Sequence, residues 1–257
     1  MMSKVMRAFS RGKAFIPFVT AGDPSLEKTE ELICAMAGAG ADLIEIGIPF
    51  SDPVAEGIVI QQADERALKN GVTTEKIFDM AGRVRRRTDV PLAFMTYFNP
   101  VFVYGAEKFT RRAAQCGVDA LIVPDLPFEE KGELQPSCSA NGVDLISLVA
   151  PTSRERISVI AAEAQGFVYC VSSLGVTGVR DRFSPELRKM VSLVRSAGHI
   201  PCAVGFGVST PEQAADIASF ADGVIVGSAV VKIVAKYGGN CVAPVAEYVR
   251  TMKAALK

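Results

Sequence analysis

The sequence predicts an α/β fold closed into a single barrel of eight parallel strands, and three observations predict it. The chain has 257 residues, the usual size of one eight-stranded α/β barrel. Short apolar runs rich in β-branched residues alternate with longer stretches of helical periodicity, the signature of repeated βα units around a parallel sheet. No Ser/Gly linker, low-complexity tract or composition shift interrupts that alternation, so one domain over 1–257 is expected.

The strand runs are 14–20, 42–47, 92–96, 120–124, 144–149, 167–172, 201–205 and 223–227. An additional N-terminal helix is expected before the first of them. Between them, 30–39 places Leu32, Ile33, Met36 and Ala37 on one helical face, and 110–116, 154–164 and 186–197 repeat the pattern. Ser184-Pro185-Glu186 and Thr210-Pro211-Glu212 read as helix starts: a hydroxyl at the N-cap, proline at N1, an acid in the first turn. Gly40, Gly117, Gly142, Gly166 and Gly198 stand where helices should end. Two connections are long, 48–91 and 173–200. They have room for extra helical segments, and both leave the C-terminal ends of strands, where barrels of this kind build their sites.

Composition excludes several classes. Lys+Arg and Asp+Glu both total 28, so no net charge draws the chain to nucleic acid or an anionic membrane. The densest basic cluster, Arg83, Arg85, Arg86 and Arg87, reads as a solvated helix end. Six cysteines are scattered singly, with no C-x-x-C and no neighbouring histidine, so neither a metal site nor a disulfide framework is expected. Small buried thiols suit a reducing compartment. The first residues lack a signal-peptide apolar core, and no apolar run approaches membrane-span length. A cytoplasmic protein is the expectation. His199, the only histidine, falls at a helix-to-strand turn on the face away from the site.

The chemistry concentrates in acids and glycines. Glu45 lies in ADLIEIGIPFSDP; strand alternation puts Leu43, Glu45 and Gly47 on one face and Ile44 and Ile46 on the other. The isoleucines should meet the helices, so Glu45 points into the barrel. Burial there raises a carboxyl pKa toward the range a proton-transfer group needs. A salt-bridged structural glutamate is the alternative. The loop after it carries Asp52, a turn-former before Pro53, and Glu56, which by spacing alone reads as a solvated loop acid or as a group reaching over the barrel mouth. Asp125 ends the fourth strand, and Tyr97 stands in a turn after the third. Gly205, Gly207, Gly227 and Ser228 follow the seventh and eighth strands, the recurrent phosphate grip of TIM barrels, and Gly178 after the sixth offers another backbone donor. An ordinary turn glycine is the alternative at each of these positions.

The segments FIPFVTAGDPSLEKT, IEIGIPFSDPVAEG, FMTYFNPVFVYG, LIVPDLPFEE, SSLGVTG, VGFGVSTPEQ and DGVIVGSAVV closely resemble, in order, the successive signatures of the tryptophan synthase α family. The resemblance covers nearly the whole chain. It implies a TIM-barrel lyase that cleaves indole-3-glycerol phosphate to indole and glyceraldehyde 3-phosphate without metal or organic cofactor. It also implies a tryptophan synthase β subunit as partner in an α2β2 assembly that passes indole onward. By the family pattern, Glu45 is the acid–base group and Glu56 matches the second acid, which binds the indole N–H. Tyr169 orients Glu45 or substrate, Phe18 packs on the indole ring, and Gly178, Gly207, Gly227 and Ser228 match the phosphate binders. Asp52 and Asp125 support the loops, Asp125 by contact with second-loop residues. Two departures stand out: Glu56 replaces the family's Asp in P-x-A-D-G, and Ile58 replaces its Pro. They keep open a catalytically weak subunit that binds and activates β. A stand-alone indole-releasing lyase stays open as well.

Overall fold

A computed structural model describes residues 2–153, 155–171, 185–205 and 207–256. The chain opens with α1 (Lys4–Arg7), β1 (Ala14–Thr20), α2 (Leu26–Gly38) and β2 (Ile44–Gly47). The first long connection holds two helices, α3 (Ile58–Lys69) and α4 (Thr74–Arg85), before β3 (Leu92–Met95). Next come α5 (Phe98–Tyr104), α6 (Ala106–Gln115), β4 (Ala120–Ile122), α7 (Gln135–Asn141), β5 (Asp144–Val149), α8 (Ile157–Glu163) and β6 (Val168–Val171). The last third carries α9 (Pro185–Ala197), β7 (Cys202–Gly205), α10 (Pro211–Ala218), β8 (Gly223–Val226), α11 (Ser228–Tyr237) and α12 (Val242–Ala254). The strands pair in parallel in sequence order, and β8 closes on β1 through Ala14–Gly223 and its neighbours.

Strand alternation sorts the apolar residues into two layers. Ala14, Ile16, Leu43, Ala93, Ile122, Ile146, Phe167 and Ile225 fill the barrel interior, while Phe15, Val19, Ile44, Ile46, Phe94 and Val204 meet the helices outside. The N-terminal helix is a single turn, capped by Ser3. It inserts Val5 and Ala8, with Phe9 beside Phe167 at 5.5 Å, into the bottom of the inner layer. That floor is therefore sealed by apolar side chains.

β2 starts two residues later than the run 42–47, and Asp42, just before it, braces the neighbouring strand. Its Oδ2 accepts the Phe15 N–H at 2.7 Å and pairs with Lys253 at 2.6 Å. The device recurs around the floor. Asp119 accepts the Leu92 N–H at 3.0 Å and pairs with Arg85 at 2.8 Å; Asp222 accepts the Cys202 N–H at 3.1 Å and pairs with Arg195 at 2.9 Å. Each carboxylate satisfies a strand-start donor of the preceding strand, and each needs a cation to offset its own burial.

That arrangement corrects the reading of the basic cluster. Arg83 and Arg87 reach Glu30 on α2, but Arg85 is largely buried and donates to Asp119 and to the carbonyls of Thr88, Val90 and Gly117. Three helix-end glycines have the left-handed backbone that favours glycine, Gly117, Gly142 and Gly166, and Gly40 has φ +105°. Gly198 does not; there a Cβ would lie 2.8 Å from the Ala161 carbonyl oxygen, so close packing of α9 on α8 requires it. The Thr210 start is a full capping box closed by Gln213. Ser184, and most of the second long connection, lies outside the described residues.

Candidate active site

The strands aim one carboxyl into the barrel from its catalytic end. Glu45 pairs with Phe18 of β1 and Ala93 of β3, and its parity with Leu43 turns it inward. It is 1 % exposed, and its Oε1 has no hydrogen-bond partner. Burial alone pushes its pKa up to about 8, so the group is neutral at pH 7. No lysine or arginine pairs with it among the described residues, which removes the salt-bridged alternative. Tyr169, inward on β6 and 3 % exposed, faces the same space. Desolvation, with the Glu45 charge adding, holds its phenol far above the usual range.

These side chains enclose a cavity of about 250 Å³ with Phe18, Met95, Leu148 and Ile225 as apolar walls. Two glycines give the walls room. A Cβ on Gly47 would lie 2.4 Å from the Phe18 ring, and one on Gly205 would lie 2.5 Å from the Tyr169 hydroxyl. Neither spacer role is legible in the sequence, because it depends on which strands become neighbours. Phe18 is itself locked by Ala63 of α3 and Val231 of α11. Gly47→Ala is therefore expected to destabilise the fold by about 1–3 kcal/mol, the usual cost of overpacking. Urea unfolding reads this; an unchanged midpoint would mean that the ring swings aside freely.

Glu56 joins the cavity from the loop before α3, so it is not the freely solvated acid that its spacing alone allowed. Two contacts hold the loop there. The Ala55 N–H donates to the Tyr97 hydroxyl at 2.9 Å, and the Gln61 amide donates to the Glu56 carbonyl at 2.8 Å. The Glu56 carboxyl is half-buried, with one oxygen free of hydrogen bonds. Burial raises its pKa, opposed by contacts with Asp64 and Tyr97. Asp64 was missed from the sequence, although a signal existed: it interrupts the apolar face formed by Ile60, Ala63 and Ala67.

The opposite wall carries a helix start and a cation. Gly207 has φ +80° just beyond β7, and Gly227 and Ser228 open α11 toward the cavity. The free N–H groups of a helix's first turn favour negative charge. Lys232, one turn further on, is the one cationic side chain lining the cavity among the described residues; sequence reasoning passed over it. The remaining candidates lie apart. Asp52 is exposed and accepts from the Ser51 hydroxyl at 2.5 Å. Asp125 accepts the Phe98 N–H at 2.9 Å, bracing the start of α5 and thus the third loop rather than the second. His199 is exposed on the barrel's far side, beside Gly12 and Pro201. Gly178 lies outside the described residues. Among the described residues no cluster of three His, Cys, Asp or Glu side chains is placed to hold a metal ion.

The family profile described as tryptophan synthase alpha chain matches residues 6–257. The chain belongs to the tryptophan synthase α family. Among its relatives, the tryptophan synthase alpha chain of Lacticaseibacillus casei is 45% identical over 256 residues, covering 100% of this chain and 96% of the relative. That of Halalkalibacterium halodurans is 51% identical over 235 residues, covering 91% and 89%. Among solved structures, the α subunit from Legionella pneumophila superposes with a TM-score of 0.91 at 34% identity, covering 100% of this chain and 99% of that one. A chain from the tryptophan synthase α2β2 complex of Pyrococcus furiosus gives 0.88 at 36% identity, with 95% and 99% covered. Membership of the tryptophan synthase α family places the chain in tryptophan biosynthesis with a lyase role. No helix among the described residues is long and apolar enough to cross a membrane.

Proposed function

We propose that the chain cleaves the carbon–carbon bond of indole-3-glycerol phosphate, giving indole and glyceraldehyde 3-phosphate, as the α subunit of a cytoplasmic α2β2 tryptophan synthase. The observation that carries this reading is Glu45, a fully buried carboxyl among apolar walls, with one oxygen unpartnered, that keeps its proton at neutral pH. The indole ring fits the wall formed by Phe18 and Leu148, and the phosphate fits the start of α11 with Gly207, Gly227, Ser228 and Lys232. The single domain 1–257 supplies every group.

The reaction balances with these residues. Glu45 delivers its proton to indole C3, and the ring becomes an iminium whose N–H is held by the Glu56 carboxylate. The hydroxyl on the carbon next to the ring then returns a proton to Glu45. As that O–H opens, a carbonyl forms, and the C–C pair moves into the ring to restore aromaticity. Glu45 ends as it began, and nothing is oxidised or reduced. Tyr169 keeps Glu45 oriented. Asp125 and Tyr97 hold the loops, while exposed Val54, Ile58, Phe102 and Val103 line the same rim and suit a β subunit.

The test is indole release from indole-3-glycerol phosphate by the purified chain, alone and with saturating β subunit. Slow cleavage that rises steeply with β is expected. Absence of cleavage in both conditions, with β still activated, would replace this reading with a binding subunit.

A further inference from the structure

Asp64 is 4 % exposed on the barrel-facing side of α3, yet no cation pairs with it among the described residues. The basic residue closest to it on α3, Arg66, is fastened to Asp23 by bonds of 2.8 and 2.7 Å. The backbone gives Asp64 a single long contact, the Phe50 N–H at 3.5 Å. Its remaining polar neighbours are the Thr20 hydroxyl and the carboxyl of Glu56, which lies within hydrogen-bond reach. Two carboxyl groups in such contact, away from water, cannot both be anions; a proton between them turns repulsion into a hydrogen bond.

We propose that Asp64 is a positioning residue that holds one proton against Glu56, so that Glu56 stays a carboxylate with an oxygen aimed at the substrate's ring N–H. The identity of that substrate rests on the lyase reading above; the proton-sharing pair does not. The surroundings decide which partner keeps the proton. Glu56 lies beside the Tyr97 phenol, a second donor for its anion, whereas Asp64 has, besides Glu56, only the long Phe50 contact and the Thr20 hydroxyl. Burial and the Glu56 charge both drive the Asp64 carboxyl upward. The other ionisable groups facing the pair do not compete. Tyr97, from the start of α5, is pushed up to about 12 and stays neutral. Glu45, from β2, is itself protonated at pH 7, and Lys232 of α11 belongs to the anion wall.

The arrangement gives the longer acid at position 56 a function. Its carboxyl reaches Asp64 on α3 while the residue still lines the cavity, and one of its buried oxygens has no donor of its own. A ring N–H that gains positive charge during C3 protonation is then met by a fixed carboxylate.

Infrared difference spectroscopy of the whole chain tests the pair. The background is Glu45→Gln, which removes the cavity's other protonated carboxyl. A protonated-carboxyl C=O band is expected at pH 7. It should disappear in Glu45→Gln/Asp64→Asn and also in Glu45→Gln/Glu56→Gln, because the amide supplies the donor and leaves the surviving acid ionised. Asp144, at the barrel's other end, contributes at most a constant background. A band unchanged by Asp64→Asn, or absent from the Glu45→Gln chain, would overturn the proposal.

Binding supplies the second readout, with indole-3-propyl phosphate as the probe on the same Glu45→Gln background. Asp64→Asn, which keeps a donor, should hold the dissociation constant within about threefold, and Asp64→Leu should raise it about tenfold or more. Equal weakening by both would reduce Asp64 to a structural residue. Failure of the lyase reading shows separately, as no indole release from the parent chain, Glu45 intact, while the band in the Glu45→Gln background behaves as described.

Discussion

Replacement of Glu45 by Gln is expected to lower kcat for indole release by about 10²–10⁴-fold, the range general acid–base groups contribute. Affinity for the β subunit should change less than about twofold, since the side chain sits 1 % exposed at the chamber's inner end, away from any partner. Gln preserves shape and hydrogen-bonding capacity but cannot donate a proton to carbon. The loss should therefore fall on kcat rather than KM. The pH profile has a fixed sign. C3 protonation needs the acid form, so kcat/KM should decline as pH rises through about 8, where Glu45 ionises. Cleavage by the Gln variant within tenfold of the parent would remove Glu45 from the chemistry.

The same substitution is expected to strengthen the fold, by an amount that depends on pH. An unfolded Glu45 would titrate near its ordinary value of 4.5, and in the fold it titrates at about 8. Between these values the folded chain holds a proton that the unfolded chain has released, so stability falls as pH rises. The contribution is intact below about 4.5 and fully lost above about 8. Gln has no such titration, so the stability gap between variant and parent should open across that window. It should reach the order of a few kcal/mol. Urea midpoints at pH 5, 7 and 9 measure it; equal gaps at pH 5 and 9 would contradict the assignment. A site residue whose removal steadies the protein is the expected trade of stability for activity.

Apolar β-rich runs were enough to place all eight strands, and alternation to turn Glu45 inward, because side-chain parity is a property of local sequence; Phe18 and Tyr169 were picked out by family resemblance. What the sequence did not disclose depends on neighbours brought together by closure. Gly47 and Gly205 are spacers only because β1 lies against β2 and β6 against β7. Arg85 looks like one of four surface arginines until Asp119, 34 residues on, is seen to need it. Asp64 escaped for another reason. A lone acid on an apolar helix face is ambiguous until the group opposite it is known, and that group belongs to a loop whose path the two prolines alone do not fix. Glu56 shows the reverse: spacing left it at the surface or over the mouth, and Tyr97 and Gln61 draw its loop into the wall.

The helical turn that seals the floor with Val5, Ala8 and Phe9 governs traffic as well as packing. It makes the chamber a blind sac with one rim. Whatever enters and whatever leaves must share that passage, so a body seated on the rim decides both admission and the direction in which the smaller, uncharged product departs.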